Sequence, residues 1–536
     1  MATRASARLR FWVAVALLCA PPLGLGIYGT RTLDWPDDPD FFRDIALAQS
    51  FADGHLLDDP FYRGESIWYN PLVPGLVAGL SKITDSPVPT VYTRAGAYLN
   101  ILAPVLLAAL VARTFGSLAG LVALTIFLYR VPRGPSGAAP FYTPFLYNSS
   151  FAQALFYLTL LAYVGLPERH RYRYLLTGLL LGLTFLGHTA PFLVLSVLFA
   201  VEFTRDATGD PRGALRRYGL LFATAALVAA PLLVSIVGRY HLEVRNPLPM
   251  QWTAWSASWT ALRRQLDLHA WAACGALVVL WLRGPRTGAW IVSGWVAAAL
   301  ALVGHSFAAA AFGWPTVVPR HHLVFYARVA QPVLIGYGVS TLWSQARRWI
   351  GRSGLLAWPR TTSARERAEW IATIGAAFVV LLAVVPDRVR RAGPLRSGII
   401  DDSAVRTGLD AYRWMRSALR SDDVVLSTED RALMVTGPAG AKVVALECLY
   451  SNPYVDCAER QRAREEMFSA LRRGDEGAFE ALADEYAVSY VLWVDADGPG
   501  FDPTPFRSLT RAFDGKQTRI YRRTAARRGF TPTRRP

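Results

Sequence analysis

The stretch Asp34-Trp35-Pro36-Asp37-Asp38-Pro39-Asp40-Phe41-Phe42-Arg43-Asp44 lies directly after the first hydrophobic run of the chain. Five of its eleven residues are carboxylates, although the 536-residue chain has a net charge of +17. Anionic side chains beside a bilayer are costly, because a low-dielectric environment disfavours the charged form. This concentration of acids at the end of a membrane helix therefore indicates a functional need for negative charge.

Apolar runs recur outward from this stretch, from residue 11 to residue 386, and 52% of the residues are hydrophobic against 18% charged. The pattern predicts a polytopic α-helical membrane protein with about eleven transmembrane helices. The expected spans are 11–29, 97–112, 118–130, 149–165, 174–189, 190–204, 218–237, 268–282, 288–312, 323–343 and 370–386.

The arginines indicate the orientation of these spans. With the N-terminus in the cytoplasm, alternating spans place most of them on the inner side, including Arg113, Arg205, Arg283 and those of residues 347–367. This agrees with the positive-inside rule. We therefore expect a protein of the cytoplasmic membrane whose acidic stretch and C-terminal part face outward. The positive charge is explained by anionic membrane lipids beside the inner loops, so no nucleic acid partner is implied.

Three regions are expected along the chain. Residues 1–390 form the transmembrane domain, and its first outer loop, 30–96, holds interfacial helices. Residues 391–521 form an extracytoplasmic α/β domain, and residues 522–536 form a basic disordered tail. Within the α/β domain the pattern predicts strands at 424–426, 442–446 and 489–494 and helix over 462–482.

Carboxylates of the first outer loop are the candidate catalytic groups. An acid near the membrane surface can act as a general base for an acceptor hydroxyl, or it can bind a divalent cation such as Mg²⁺ or Mn²⁺. The alternative is that several acids are solvated or cap a helix, as Asp38 or Asp40 would for a helix that begins near Phe41. Candidate metal ligands are Asp38, Asp40, Asp58 and Asp59.

A basic segment, Pro319-Arg320-His321-His322, leads into a predicted span that contains Arg328. Two histidines and an arginine at the outer end of a helix suit a phosphate group, and Arg328 needs a partner or a buried anion. In the alternative interpretation the arginine reaches the lipid headgroups and the histidines cap the helix. In the outer domain, Cys448 and Cys457 form either a disulfide or two free thiols.

The arrangement resembles the GT-C superfamily of membrane glycosyltransferases, which includes protein O-mannosyltransferases, aminoarabinose transferases, oligosaccharyltransferase subunits and actinobacterial arabinosyl- and mannosyltransferases. The similarity is carried by Asp37-Asp38-Pro39-Asp40-Phe41-Phe42-Arg43, Ala52-Asp53-Gly54, Tyr62-Arg63-Gly64-Glu65 and Tyr69-Asn70-Pro71-Leu72, together with the topology. It implies transfer of a hexosyl or pentosyl group from a polyprenyl-phosphate donor to a glycan, lipid or protein acceptor at the outer membrane face.

The resemblance also ranks the candidate residues. Asp40 best matches the family's base or metal-ligating acid, followed by Asp38 and Asp37. The chain lacks an Asp-Glu pair and an Asp-X-X-Tyr-X-X-His run, and Arg43 stands where some relatives have histidine. Candidate residues for binding the donor phosphate or the substrate are His55, Tyr62, Arg63, Glu65, Arg320, His321, His322 and Arg328.

Two other functional classes fit a polytopic membrane protein. A flippase or transporter of lipid-linked sugars would place charged residues along a path through its spans, whereas the acids here concentrate in one outer loop. A non-enzymatic scaffold for envelope assembly would depend on its C-terminal domain. Removing the residues beyond about 395 would abolish a scaffold's function but would mainly affect acceptor recognition in a transferase.

Overall fold

The computed structural model describes residues 2–36, 38–130, 142–167, 170–251, 266–314, 316–353, 367, 370–379, 381–382, 408–497 and 500–524. The helices of this part of the chain are α1 (Ala2–Thr30), α2 (Pro39–Ala52), α3 (Leu72–Thr84), α4 (Val88–Leu99), α5 (Leu102–Phe115), α6 (Ser117–Tyr129), α7 (Asn148–Gly165), α8 (Arg171–Gly187), α9 (Thr189–Ala207), α10 (Pro211–Leu233), α11 (Leu248–Gln251), α12 (Leu268–Arg283), α13 (Arg286–Phe312), α14 (Arg320–Arg328), α15 (Ala330–Ser353), α16 (Trp370–Val379), α17 (Leu409–Ala418), α18 (Cys457–Arg473) and α19 (Glu476–Glu485). The strands are β1 (Val424–Leu426), β2 (Lys442–Val443), β3 (Val488–Val494), β4 (Leu509–Asp514) and β5 (Thr518–Arg523).

Four helical segments of the described chain are long and apolar enough to cross a membrane, namely Ala5–Thr30, Val88–Phe115, Pro211–Arg239 and Arg286–Phe312. Helices also occupy other predicted spans, for example α7 and α9. That these shorter helices cross the membrane stays a prediction, as does the total of about eleven. The last predicted span, 370–386, is described only in part.

The chain divides into two compact units. Unit 1 comprises Met1–Thr32, Arg94–Ala230 and Gln251–Ser397, and unit 2 comprises Leu33–Thr93, Pro231–Met250 and Gly398–Pro536. The first outer loop is thus grouped with the C-terminal segment. The predicted domain boundary at 390/391 falls outside the described residues.

Unit 1 is built from closely packed helices around one apolar core. Gly336 of α15 faces the Ala119 carbonyl and the Ala123 methyl group of α6, where a Cβ would meet the neighbouring backbone. Such small residues let helix axes approach closely, which is how helices associate when lipid removes the hydrophobic driving force between them. The core of this unit includes Phe156, Trp295 and Tyr326, whose rings contact one another.

Unit 2 contains a five-stranded mixed sheet of order β2-β1-β3-β5-β4. β1 pairs in parallel with β2 and β3, while β5 runs antiparallel to β3 and β4. The sequence pattern predicts the first three strands but not the β4–β5 hairpin. Strand β5 includes Arg522 and Arg523, which were assigned to the disordered tail, and residues 525–536 lie outside the described part.

Helix α2 is buried within unit 2 on most of its surface. Phe42 and Ala46 share an apolar cluster with Phe61 and Leu433, and a second side of the helix packs on Ile67. The apolar positions that suggested a helix lying on the membrane surface therefore contact protein in this unit. This packing ties the acidic stretch to the C-terminal segment.

Candidate functional site

The acidic stretch places its carboxylates at the start of α2. Asp38 is the N-cap residue, and its side chain accepts a hydrogen bond from the Asp40 backbone N–H at 3.0 Å. Pro39 occupies the first helical position, where its missing N–H and fixed φ suit a helix start. Asp38 therefore fills the capping role that the sequence left open. Asp37 lies outside the described residues.

Asp40 lies in the first turn of α2 with a side chain that is 50% exposed. One of its carboxylate oxygens is 3.4 Å from a terminal nitrogen of Arg43, one turn along the helix. The positive end of the helix dipole also favours a negative charge at this position. The geometry thus provides an accessible carboxylate held from one side by a cation.

Arg43 connects Asp40 to a buried network. Its Nε donates to Asp44 at 3.0 Å, and a terminal nitrogen donates to the Tyr69 hydroxyl at 2.9 Å, with the guanidinium 3.8 Å from the centre of that ring. The Tyr92 hydroxyl donates to the other oxygen of Asp44 at 2.9 Å. Burial raises the pKa of Asp44 to about 6, although Arg43 opposes the shift. Asp44 therefore anchors the arginine that restrains Asp40.

Tyr450, from the C-terminal segment, belongs to the same neighbourhood. Burial raises the pKa of the Tyr450 hydroxyl above its usual range, and the nearby charges of Asp40 and Glu447 raise it further. The sequence analysis did not select Tyr450, because more than 400 residues separate it from the acidic stretch. A tyrosine that stays protonated beside a carboxylate can donate a hydrogen bond to a bound hydroxyl group.

Asp59 is a structural residue of unit 2. It is fully buried, and one carboxylate oxygen accepts from the backbone N–H groups of Phe61 and Tyr62 at 2.8 and 2.9 Å. The other oxygen accepts from the Asn452 side chain at 2.9 Å. Burial raises the pKa of Asp59 despite these bonds. Lys442 donates to the Asp59 carbonyl oxygen at 2.5 Å.

The four acids proposed as metal ligands do not form a metal site in the described residues. Both oxygens of Asp59 are hydrogen-bonded, one oxygen of Asp38 caps α2, and Asp58 contacts His55 at 3.1 Å. Asp40 and Asp58 keep side chains that are 50% and 54% exposed, with Arg43 and His55 as their respective neighbours. The described residues therefore bring no three of these acids together, and binding of Mg²⁺ or Mn²⁺ stays a prediction.

The segment Tyr62-Arg63-Gly64-Glu65 places its tyrosine in the core of unit 2 and its two charged side chains in a cleft. Tyr62 is buried, and its hydroxyl lies 2.7 Å from the Ser451 hydroxyl. Burial raises the pKa of Tyr62 to about 12. Arg63 and Glu65 line a cleft of about 1340 Å³ in unit 2, together with Arg239, Tyr240, Tyr454 and Arg460.

Cys448 and Cys457 are joined by a disulfide, with Cα atoms 5.6 Å apart. The short loop between them carries Ser451 and Asn452, which contact Tyr62 and Asp59. The Asn246 side chain donates to the Cys448 carbonyl oxygen at 2.7 Å. The disulfide therefore closes a loop that fastens the C-terminal segment to the first outer loop.

Unit 1 brings together the basic segment at the start of α14. Arg320 is buried, with its guanidinium 4.2 Å from the centre of the Phe307 ring and long contacts of 3.4 Å to Ser306. The His321 and His322 rings are 4.1 Å apart, and the His188 ring lies 4.6 Å from His322. Several cationic or polarisable groups thus share one small region.

Arg328 belongs to a second buried group of unit 1. Its guanidinium is 4.0 Å from the Asp267 carboxylate, which also pairs closely with Arg130. Arg130 donates to the Gln331 side chain at 2.7 Å, and Asp267 caps α12 by accepting from the Ala270 N–H at 3.0 Å. Two buried arginines share one carboxylate, so this group carries an excess positive charge. The sequence analysis missed Arg130 and Asp267, although an acid directly before an apolar run is an N-cap signal.

Solved structures similar to this chain include an oligosaccharyltransferase and an arabinofuranosyltransferase. ArnT from Cupriavidus metallidurans, bound to undecaprenyl phosphate, matches with a TM-score of 0.54 at 14% identity, covering 95% of this chain and 97% of that one. The oligosaccharyltransferase AglB from Archaeoglobus fulgidus, in complex with an inhibitory peptide and a dolichol-phosphate, matches with a TM-score of 0.51 at 14% identity, covering 90% and 69%. The arabinofuranosyltransferase AftD from Mycobacteria matches with a TM-score of 0.54 at 14% identity, covering 96% of this chain and 40% of that longer one.

The chain has the GT-C fold. The predicted resemblance is therefore confirmed. No protein-family model and no curated protein sequence matches the chain. Within the GT-C fold, unit 2 groups Asp40 with Arg43 and Asp44, and unit 1 holds Arg320, His321, His322 and Arg328.

Proposed function

We propose that this protein is a membrane glycosyltransferase that moves a sugar from a polyprenyl-phosphate donor to an acceptor at the outer face of the cytoplasmic membrane. The shared fold supports this assignment, since structural relatives are sugar transferases and two of them were determined with a lipid phosphate bound. The acceptor is a glycan, a lipid or a protein.

The accessible carboxylate of Asp40, restrained by Arg43, is the observation that carries the proposal. As the acceptor hydroxyl attacks the anomeric carbon, its proton passes to Asp40. A bond forms between the acceptor oxygen and that carbon. The bond from the carbon to the phosphate oxygen breaks, and its electron pair leaves with the polyprenyl phosphate. A single displacement of this kind inverts the anomeric centre.

Negative charge develops on the departing phosphate, which needs cations or hydrogen-bond donors. Arg320, His321 and Arg328 of unit 1 suit this role, because they are buried and few acids accompany them. Arginine also matches the geometry of phosphate oxygens. Asp38 is the reserve candidate for the base, but its capping bond gives it a structural task.

Membranes that contain the full-length protein test the proposal with a panel of radiolabelled polyprenyl-phosphate sugars. A product formed by the wild type should fall by about 100-fold or more in Asp40→Asn, since general-base catalysis contributes factors of 10² to 10⁴. The matched control is Asp34→Asn, an exposed acid of the same stretch, which should keep full activity.

Protein levels are compared by immunoblot, so that a loss of protein is not read as a loss of activity. Full activity in Asp40→Asn would remove Asp40 from the role of base. Transport of the labelled carrier in proteoliposomes, with no sugar transfer from any donor, would instead identify a flippase. Absence of both activities would favour a scaffold.

A further inference from the structure

A polar cavity of about 500 Å³ opens at one end of unit 1, apart from the groups assigned to sugar transfer. It is bounded by the last residue of α5, the C-terminal turn of α12 and one face of α15. The arginine distribution of the sequence predicts that this end is cytoplasmic. Six residues decide its chemistry: Arg283, Tyr337, Ser340, Thr341, Ser344 and Arg348.

One face of α15 forms a wall of the cavity. Tyr337, Ser340, Thr341, Ser344 and Arg348 recur at intervals of three or four residues, so they lie along one helix face. Tyr337 is buried at the inner end, and the exposed Ser344 and Arg348 form the rim. The Nε of Arg348 donates to the Ser344 carbonyl oxygen at 3.3 Å, which holds the arginine along the helix.

The charge of the cavity is positive. Arg283 and Arg348 both line it, and none of its lining residues is acidic. Neither arginine forms an ion pair with a carboxylate in the described part of the chain. Two cations and a wall of hydroxyl groups, with no competing acid, suit the oxygens of a phosphate group.

Exposed tryptophans lie close in sequence to the cavity-lining residues of α12 and α15 and near the start of α13. Trp281 of α12 is 50% exposed, Trp290 of α13 is 41% exposed and Trp343 of α15 is 55% exposed. Indole rings prefer the lipid headgroup region, where one side is apolar and the other is hydrated. Their position indicates that the cavity opens at headgroup depth rather than into bulk water.

We propose that this cavity binds the headgroup phosphate of an anionic phospholipid, such as phosphatidylglycerol, from the cytoplasmic leaflet. The arginines at the rim pair with the phosphate and the hydroxyl groups bind the polar part of the headgroup. The acyl chains lie along the apolar outer surface, where Leu282 and Leu342 are exposed. Basic pockets between membrane helices on the cytoplasmic side recognise anionic lipids in this way.

Native mass spectrometry of the purified full-length protein tests the site, with titration of phosphatidylglycerol and, as the neutral lipid, phosphatidylcholine. The wild type should bind phosphatidylglycerol more tightly. In the double variant Arg283→Gln/Arg348→Gln its dissociation constant should rise roughly 30-fold, since each arginine near an anionic lipid contributes a factor of about five. The matched control is Arg212→Gln/Arg216→Gln, two exposed arginines of α10 that do not line the cavity.

Equal losses in the two double variants would show general electrostatic attraction and overturn the proposal, as would unchanged binding in Arg283→Gln/Arg348→Gln. Displacement of phosphatidylglycerol by inorganic phosphate would assign the cavity to a soluble anion and overturn the lipid assignment. If the arginine variant does not fold, Ser340→Ala/Thr341→Val keeps both charges. It should weaken phosphatidylglycerol binding but not phosphatidylcholine binding, and equal effects on both lipids contradict the proposal.

Discussion

Asp59 in unit 2 and Arg328 in unit 1 are both buried charged residues, but their surroundings differ. Asp59 accepts three hydrogen bonds through its carboxylate, and Lys442 lies beside it. Arg328 has an Nε without a hydrogen-bond partner in the described chain, and its carboxylate neighbour Asp267 is 4.0 Å away. A buried charge with satisfied partners holds a fold together, whereas a buried charge with few partners indicates a ligand.

The acidic stretch shows the same contrast on a smaller scale. Asp38 caps α2 and Asp44 is buried between Arg43 and Tyr92, so both have structural tasks. Asp40 keeps a half-exposed carboxylate. Charge alone does not separate these acids. The hydrogen-bond partners of each acid distinguish them. Substitution of a structural acid should therefore change stability, whereas substitution of Asp40 should change activity.

The largest expected effect on stability is at Asp59. Asp59→Ala leaves two backbone N–H groups and the Asn452 amide without their acceptor in a buried site. We expect it to lower the free energy of unfolding by about 3 to 5 kcal/mol. The neighbouring Asp58→Ala removes an acid whose side chain is 54% exposed and should change it by less than about 0.5 kcal/mol. Thermal unfolding of the detergent-purified variants measures both, and equal shifts would contradict a structural role specific to Asp59.

The next effect concerns Asp44 and depends on pH. Its pKa in the folded protein is about 6, against an ordinary value of 3.8, so the folded state binds a proton more tightly than the unfolded state. The stability due to the protonated acid is therefore complete below about pH 4 and is lost as the pH rises through about 6. The change amounts to about 3 kcal/mol at 1.4 kcal/mol per pKa unit.

The neutral variant Asp44→Asn removes this titration. The unfolding temperature of the wild type, relative to that of Asp44→Asn, should fall between about pH 4 and pH 7. The exposed Asp34→Asn serves as the control and should follow the wild type across this range. Parallel curves for the wild type and Asp44→Asn would show that the Asp44 pKa is not raised.

The sequence allowed much of the fold to be predicted. Apolar runs predicted the helices, and the run 489–494 predicted a strand, because burial requires apolar residues at a characteristic period or over a characteristic length. The β4–β5 hairpin was missed, although Asp514-Gly515 at its turn is a hairpin signal. Arg522 and Arg523, at the end of its second strand, fall within residues 522–536, which the basic composition predicted to be a disordered tail.

The candidate site was predictable only where its residues are neighbours in sequence. Asp38, Asp40 and Arg43 lie on one helical turn, so their grouping follows from spacing. The contacts of Asp59 with Asn452 and of Arg130 with Asp267 join segments far apart in the chain. No local pattern encodes such contacts, and for this reason Asp59 was ranked as a metal ligand rather than as a buried structural acid.

The smallest expected effect on stability is at Arg328, which distinguishes it from these structural residues. In Arg328→Met, Asp267 keeps Arg130 as its partner, so the loss of an incompletely paired buried charge should leave stability unchanged or slightly higher. If Arg328 binds the donor phosphate, the KM for the polyprenyl-phosphate sugar should rise about 10-fold or more, because hydrogen bonds to charged groups contribute about 1.5 to 3 kcal/mol. Arg113→Met makes the same change at an exposed arginine of α5 and should leave KM unaltered. A lower unfolding temperature with an unchanged KM in Arg328→Met would instead place Arg328 with Asp59, among the charges that hold the fold together.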